Sequence, residues 1–334
     1  MRKLVTYLSV ALLVVVVLGL AVAGCGDASS APKAGADTPE AILSQAMAAG
    51  ASFDKGTGQF DLSLAVNGDT ATMPAEMKAI LGQPITISGT FSGSQEPMAA
   101  DVSMTVSLAG QNIPLGLKMT DGKAWIQFMG TWYEAPDEIM SQMSTATTDM
   151  KATQDSILQA FKTAGIDINT WITDLKTVGE DDLDGTKAYH LSGNIALTQI
   201  VNDAVKMMQN EDLMKAIPGM DALGEAGTDM SMPTGDDLAE MQQQLDSMFE
   251  TLNMDVWITK DDYQLRKVSL NAKMVPPTGE DAQGIDDITM SMNLSMAPTD
   301  APVTVTPPAS SKPFSELEQA LGMLEGMFSG LIGG

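Results

Sequence analysis

The feature that most constrains the fold of this 334-residue chain is the alternation of apolar and polar residues in many short segments. In residues 285–298 the apolar residues Ile288, Met290, Met292, Leu294 and Met296 are each followed by a polar residue or an alanine. Successive side chains of a strand point to opposite faces of a sheet, so this period of two predicts strands with one covered face. About eleven such segments occur, and together they predict a large antiparallel sheet.

Turn signals separate these segments. Residues 59–134 contain a run of short strand patterns, with Asp121-Gly122 as a two-residue hairpin turn. Residues 177–193 read as strand, Asp184-Gly185 turn and strand, and residues 254–274 as a hairpin that turns at Lys260–Asp262. The second half of the chain therefore repeats the organisation of the first.

Helical patterns interrupt the strands in two groups. Thr38-Pro39 is a capping residue followed by a proline at the first helical position, and it predicts a helix over 39–50. Further helices are predicted at 137–164, 195–216 and 235–251, and an amphipathic helix at 313–329. Because the helices are collected between runs of strands, the predicted class is α+β, with helices on the one apolar face of the sheet.

The only cysteine, Cys25, follows a basic start, an apolar run from Leu4 to Val22 and two small residues. This layout predicts a secretory signal over 1–24, and the alternative is an uncleaved membrane anchor. The sequence Val-Ala-Gly-Cys at 22–25 resembles the lipobox of bacterial lipoproteins. That resemblance implies cleavage before Cys25 and a diacylglyceryl thioether on its sulfur. Residues 25–38 are then the acylated cysteine and a flexible tether.

Charge limits the partners of the body. Loss of Arg2 and Lys3 with the signal takes the formal net charge from −25 to −27. Nucleic acid is not expected as a partner, because neutralising phosphates requires clustered Lys and Arg. An anionic membrane surface would repel this body, so attachment to the membrane is expected through the Cys25 lipid, on the outer face of the cytoplasmic membrane.

The segments at 177–193, 256–270 and 288–309, in this order and with a helix after the first, resemble the LppX/LprG-type lipoproteins, which share the fold of the carrier LolA. The resemblance covers roughly residues 39–310 and implies a strongly curved half-barrel of about eleven strands with helices in its concave side. It also implies that lipid acyl chains are held between sheet and helices. Residues 210–240 and the C-terminal segment 311–334 have no counterpart in the family pattern.

Combined with the resemblance, the alternation gives a set of predicted cavity-lining residues on the apolar face. Methionine suits such a surface because its flexible thioether adapts to changing apolar shapes. The predicted lining residues are Leu64, Met104, Val106, Leu117, Met119, Phe128, Leu191, Val256, Leu270, Met290, Met292 and Met296. An ordinary core filled with methionine is the alternative interpretation of the same residues.

Other chemistry finds little support in the sequence. Methionine pairs such as Met290/Met292 could bind Cu(I), but residues two apart on a strand belong to the apolar stripe. Residues 180–191 begin like a calcium loop, but Leu191 stands where a bidentate glutamate is required. The single histidine, His190, is predicted to be a surface strand residue. With no catalytic motif, the protein is not expected to be an enzyme or to need a cofactor or metal.

Two function classes remain. The first is a lipid-anchored carrier or presenter that binds lipid acyl chains in an apolar cavity. The second is a structural or protein-interaction lipoprotein in which the same sheet is fully packed and holds no ligand. The sequence names neither the lipid nor a protein partner.

Overall fold

The computed structural model describes residues 38–49, 55–69, 78, 82–94, 97–137, 139, 161, 163–208, 242–243, 245, 247–276 and 284–320. The predicted signal peptide, Cys25 and nearly all of the predicted tether lie outside the described residues, as does most of the predicted helix at 137–164. The chain forms two compact units. The first unit comprises Met1–Ser52 and Asp149–Val275, and the second unit comprises Phe53–Thr148 and Pro276–Gly334.

Strands dominate the described part of the chain. The α-helices are α1 (Pro39–Ala49) and α2 (Leu197–Met208), and a 3-10 helix spans Ile168–Trp171. Residues 314–320 are also helical. The strands are β1 (Lys55–Gly68), β2 (Ile85–Ser94), β3 (Ala99–Leu108), β4 (Gln111–Thr120), β5 (Lys123–Phe128), β6 (Thr131–Glu134), β7 (Ile172–Leu183), β8 (Thr186–Ile195), β9 (Phe249–Thr259), β10 (Leu265–Met274), β11 (Ile285–Pro298) and β12 (Lys312–Pro313).

The twelve strands belong to a large open sheet, which confirms the predicted α+β class with a dominant sheet. The second unit contains the order β12-β6-β5-β4-β3-β2-β1-β11, and the first unit contains β10-β9-β8-β7. The prediction of a purely antiparallel sheet of about eleven strands is corrected in one respect. The two-residue strand β12 pairs parallel with β6, so the sheet is mixed and has twelve strands.

Turn chemistry sets the hairpins as the sequence predicts. Asp121 and Gly122 both have positive φ, 53° and 73°, and Asp184 and Gly185 likewise have φ of 52° and 89°. Two consecutive positive φ values define the turn whose twist matches a two-residue hairpin. At Asp184-Gly185 the Asp182 carboxylate also accepts a hydrogen bond from the Gly185 backbone N–H at 2.6 Å.

In the first unit, helix α1 packs on the strands. α1 begins as predicted: the Thr38 hydroxyl accepts a hydrogen bond from the Ala41 N–H at 3.3 Å, and Pro39 is the first helical residue. α1 packs against β7, β9 and the 3-10 helix. The apolar residues that alternate along β10 are all buried: Val268, Leu270, Ala272 and Met274.

Two helical predictions change at their ends. The helix predicted over 235–251 ends earlier than expected, because residues 249–251 already belong to β9 and pair with β10. A β-branched or aromatic residue at the end of a helical pattern can belong to a helix or to a strand. Here the pairing of β9 with β10 favours the strand. Within the described residues, the predicted C-terminal helix over 313–329 is helical from 314 to 320, with Leu317 only 3% exposed.

In the described part of the chain, no helix combines the length and the apolar character needed to cross a membrane.

Candidate functional site: the apolar face of the second unit

The strands of the second unit place their apolar side chains in register. Because antiparallel pairing sets residues directly opposite each other, one face is crossed by continuous apolar rows. One row is Met292, Leu62, Ile87, Val106 and Ile113. The next row is Leu294, Phe60, Gly89, Met104, Leu115 and Phe128. A third row runs from Met296 through Gly58, Phe91, Val102 and Leu117 to Ile126.

Two glycines shape this face. Gly58 and Gly89 lie directly opposite Phe91 and Phe60, respectively. A Cβ atom at Gly89 would come within 2.8 Å of the Phe60 ring, and one at Gly58 would collide with the Phe91 ring. Each ring therefore lies over the neighbouring strand in space that a side chain would otherwise occupy. The apolar face is therefore flat at its centre, because the two phenylalanine rings fill the space above the two glycines, which have no side chains.

The apolar face of the second unit is only partly buried. Nine of the predicted lining residues lie on its strands, and eight of them are partly buried. Seven of these eight are Leu64, Met104, Val106, Leu117, Met290, Met292 and Met296. Phe128 is in the same class, and Met119 alone is buried, at 7% exposure. Met119 belongs to a small cluster with Ala124 and Ala135, packed against Met98, Ala100, Leu117 and Ile139.

The remaining three predicted lining residues lie in the first unit. Leu191, Val256 and Leu270 are 0%, 2% and 1% exposed, and they form part of its packed core. Leu191 and Val256 are direct cross-strand partners on β8 and β9. The structure therefore divides the predicted set into nine residues that share one face of the second unit and three core residues of the first unit.

Several residues of the face were absent from the predicted lining set. Phe60, Leu62, Ile87, Val102, Leu115 and Leu294 stand in the same rows as the predicted residues. Their signal was present in the sequence, because each belongs to an alternating strand pattern. Gly58 and Gly89 carried no such signal, since a glycine shows its role only when its cross-strand neighbour is known.

The first unit contains a hydrogen-bond network around one buried carboxylate. Asp203 on α2 is fully buried and accepts hydrogen bonds from Trp171 Nε1 at 2.8 Å, Gln199 Nε2 at 3.0 Å and Lys206 Nζ at 2.7 Å. Burial raises the pKa of Asp203, but these three hydrogen bonds and the Lys206 charge outweigh burial, so the pKa lies below its ordinary value. The network ties α2 to the 3-10 helix and is structural in character.

His190 lies on β8 and was predicted to be a surface residue, but its side chain is largely buried, at 18% exposure. Its Nε2 atom lies 3.0 Å from Asp255 Oδ1, and its ring stacks on Trp257 with centroids 4.3 Å apart. Lys267 Nζ lies 4.2 Å from the centre of the Trp257 ring. Among the described residues, no group of three or more His, Cys, Asp or Glu side chains could hold a metal ion.

The chain matches no protein-family model and no curated protein sequence. Among solved structures it is similar to the lipoprotein LppX from Mycobacterium tuberculosis, with 13% identity over 80% of this chain and 98% of that one, and a TM-score of 0.31. It is also similar to LprF from Mycobacterium bovis, with 12% identity over 81% of this chain and 97% of that one, and a TM-score of 0.32.

A third similar structure is a putative outer membrane lipoprotein-sorting protein domain from Vibrio parahaemolyticus, with 6% identity over 80% of this chain, 94% of that one and a TM-score of 0.18. LppX and LprF are lipoproteins of the type that the sequence patterns resemble.

Proposed function

We propose that this protein is a lipid-anchored lipoprotein of the cell envelope that binds lipid acyl chains on the apolar face of its second unit. The observation that carries the proposal is the partial burial of that face. Its rows of Leu, Ile, Val, Phe and Met side chains are continuous across six strands, yet almost all of them keep part of their surface uncovered. A broad apolar surface of this kind is typical of a binding site.

The composition of the face fits flexible hydrocarbon. Met104, Met290, Met292 and Met296 place four thioether side chains beside branched aliphatic ones. Methionine adapts its three torsions to a mobile ligand. Burial of each methylene contributes about 0.8 kcal/mol, so a sixteen-carbon chain would gain roughly 10 kcal/mol before the cost of association. That cost is about 4–15 kcal/mol, so a lipid with two or three chains gives a clear surplus.

The anchor is part of the same proposal. Acylation of Cys25 would hold the body at the outer face of the cytoplasmic membrane, where its acyl ligands are present, and two acyl chains are enough for stable attachment. Metabolic labelling with a radioactive fatty acid tests this step. We expect Cys25→Ser to abolish the label and to leave the precursor uncleaved, and labelling of the variant at the wild-type level would contradict the anchor.

The binding proposal is tested on protein that begins after Cys25, since the described fold starts at residue 38. We expect organic extraction of the purified protein to release diacyl or triacyl lipid, and the stripped protein to take up a fluorescent fatty-acyl probe. Met104→Trp combined with Met292→Trp should reduce probe uptake at least fivefold, because both indoles would occupy the apolar face.

The matched control is Thr105→Trp combined with Asn293→Trp. These residues are the next neighbours of Met104 and Met292 on the same strands, so their side chains point to the opposite face. We expect probe uptake by this control to equal that of the wild type. Lipid-free protein that takes up no probe would refute lipid binding, and equal losses in both double variants would remove the site from this face.

The second candidate function is a protein-interaction lipoprotein without a ligand. The buried cluster around Met119 favours it, because it shows that part of this face is packed like a core. The extraction experiment separates the two functions, since a packed face would carry no lipid.

A further inference from the structure

The opposite face of the second unit carries a polar row that the lipid proposal does not use. Reading across seven strands from β11 to β6, the directly paired residues are Ser295, Gln59, Thr90, Ser103, Gly116, Gln127 and Trp132. Gln59, Thr90 and Ser103 are exposed, and Ser295, Gln127 and Trp132 are partly buried. The row thus presents hydroxyl and amide groups to solvent and ends in an aromatic ring. We call it the polar row.

The Trp132 ring extends along the sheet surface. Its Cη2 atom lies 3.0 Å from the position that a Cβ atom of Gly116 would take, although Gly116 is on β4, two strands away from β6. Gln127 Oε1 lies 3.2 Å from the same position. The absence of a side chain at Gly116 therefore lets the indole reach across β5 and lie beside an amide. An indole in this orientation offers an apolar platform next to hydrogen-bonding groups, with Lys118 Nζ 5.8 Å from the centre of its ring.

The polar row contains no ionisable side chain, although the chain has a formal net charge of −25. The charged groups beside the row are two ion pairs and one carboxylate that is hydrogen-bonded to a neutral amide. Lys118 binds Asp101 at 2.5 Å, and Lys123 binds Glu134 at 2.7 Å. The Asp61 carboxylate accepts a hydrogen bond from Asn293 at 3.0 Å. The remaining charge beside the row is the negative charge of Asp61, so this surface repels an anionic partner, whereas it can satisfy a neutral partner that carries many hydroxyl groups.

We propose that the polar row binds a neutral, unbranched polysaccharide, with one sugar ring stacked on Trp132 and the chain running across the strands. Ser, Thr and Gln side chains both donate and accept hydrogen bonds, as sugar hydroxyls do. Neighbouring strands lie about 4.8 Å apart, which is close to the length of one pyranose ring, so successive sugars would meet successive strands. The proposal is independent of lipid binding, because it uses the other face of the sheet.

The test uses the full chain in a zwitterionic detergent that has no sugar head group. The probes are cellohexaose, maltohexaose and mannohexaose, with dextran sulfate as the charged comparison. Binding is measured by titration of tryptophan fluorescence and by calorimetry. We expect at least one neutral hexaose to bind and to change the fluorescence. Trp132→Ala should weaken that binding at least tenfold, and Trp132→Tyr should restore most of it, because a tyrosine ring can also stack.

Two exposed threonines provide a matched pair that leaves the aromatic ring in place. Thr90→Val removes a hydroxyl from the polar row, and Thr251→Val makes the same change on β9 of the first unit. We expect a three- to tenfold weaker hexaose affinity for Thr90→Val and no change for Thr251→Val.

The proposal is overturned if none of the three hexaoses binds, if Trp132→Ala and Thr90→Val bind like the wild type, or if dextran sulfate binds more tightly than every neutral probe. Because uptake of the fatty-acyl probe is measured separately on the same variants, failure of polysaccharide binding is distinguishable from failure of lipid binding.

Discussion

The two units use strands of the same alternating type but bury them to different extents. In the first unit, Leu191, Val256 and Leu270 are at most 2% exposed, and α1 packs against β7 and β9. In the second unit, Leu64, Met104 and Met292 occupy the equivalent apolar positions of their strands and remain partly exposed. The comparison shows that period-two alternation specifies which face is apolar, and that it does not specify how completely that face is covered.

The difference has an energetic consequence. A fully covered leucine contributes its whole transfer free energy and its packing contacts to the stability of the native state. A partly covered leucine contributes less to stability. The rest of its transfer free energy is gained only when another apolar surface covers it. The first unit is therefore expected to supply stability, and the second unit to supply binding free energy.

The largest expected effect is on the free energy of unfolding, and a matched pair of truncations measures it. Leu191→Ala should lower this free energy by about 2–5 kcal/mol, because the residue is fully buried on β8. Leu64→Ala removes the same atoms from a partly exposed position on β1 and should cost roughly 1 kcal/mol. Urea denaturation followed by tryptophan fluorescence measures both, with Trp171 and Trp257 in the first unit and Trp125 and Trp132 in the second.

Lipid should change the destabilisation caused by only one of these two truncations. If acyl chains cover the apolar face of the second unit, Leu64→Ala loses contacts with the bound lipid. The loss in free energy of unfolding caused by Leu64→Ala should then rise when lipid is added, whereas the loss caused by Leu191→Ala should not change. Equal losses in free energy of unfolding for both variants without lipid would show that the apolar residues of the two units are buried equally. This result would contradict the proposed difference between the units.

The sequence predicted the sheet well, because its signals are local. The Asp121-Gly122 and Asp184-Gly185 turns, the Thr38-Pro39 helix start and the strand 285–298 are all found at the predicted positions. Each depends on a residue and its immediate neighbours in the chain. The edge of the sheet was harder to predict. Strand β12 has only two residues and pairs in parallel with β6, so it is too short to show an alternating pattern in the sequence.

The apolar face of the second unit, the candidate site, could be predicted only in part, because its composition depends on contacts that are distant in the sequence. Alternation correctly placed Met104 and Met292 on an apolar face, but it also placed Leu191 and Val256 in the same set, although these belong to the core of the other unit. Strand patterns carry no information about which helix lies over which strand. The roles of Gly89 and Gly116 depend on Phe60 and Trp132, which come close only through sheet pairing.

The buried carboxylate of the first unit gives the next prediction, with a smaller effect. Asp203 accepts hydrogen bonds from Trp171, Gln199 and Lys206, and nothing in the sequence distinguishes it from the other aspartates of an acidic chain. Asp203→Asn keeps the shape of the side chain but removes its charge. We expect the free energy of unfolding at pH 7 to fall by about 1–3 kcal/mol, as for other hydrogen bonds to a charged group in a protein interior.

The pH dependence of this loss separates the charge of Asp203 from its shape. The pKa of Asp203 is lower in the folded protein than in the unfolded chain, where an aspartate has a pKa of about 3.9. Its contribution is therefore fully present above the unfolded value and is lost as the pH falls through the folded value. The stability difference between wild type and Asp203→Asn should be constant from about pH 6 to pH 5 and should shrink below about pH 4. Urea denaturation at each pH measures the difference, with Asp182→Asn in the exposed β7–β8 turn as the control. A difference for Asp203→Asn that stays constant down to pH 3 would show that the charge contributes nothing and that the network holds α2 by shape alone.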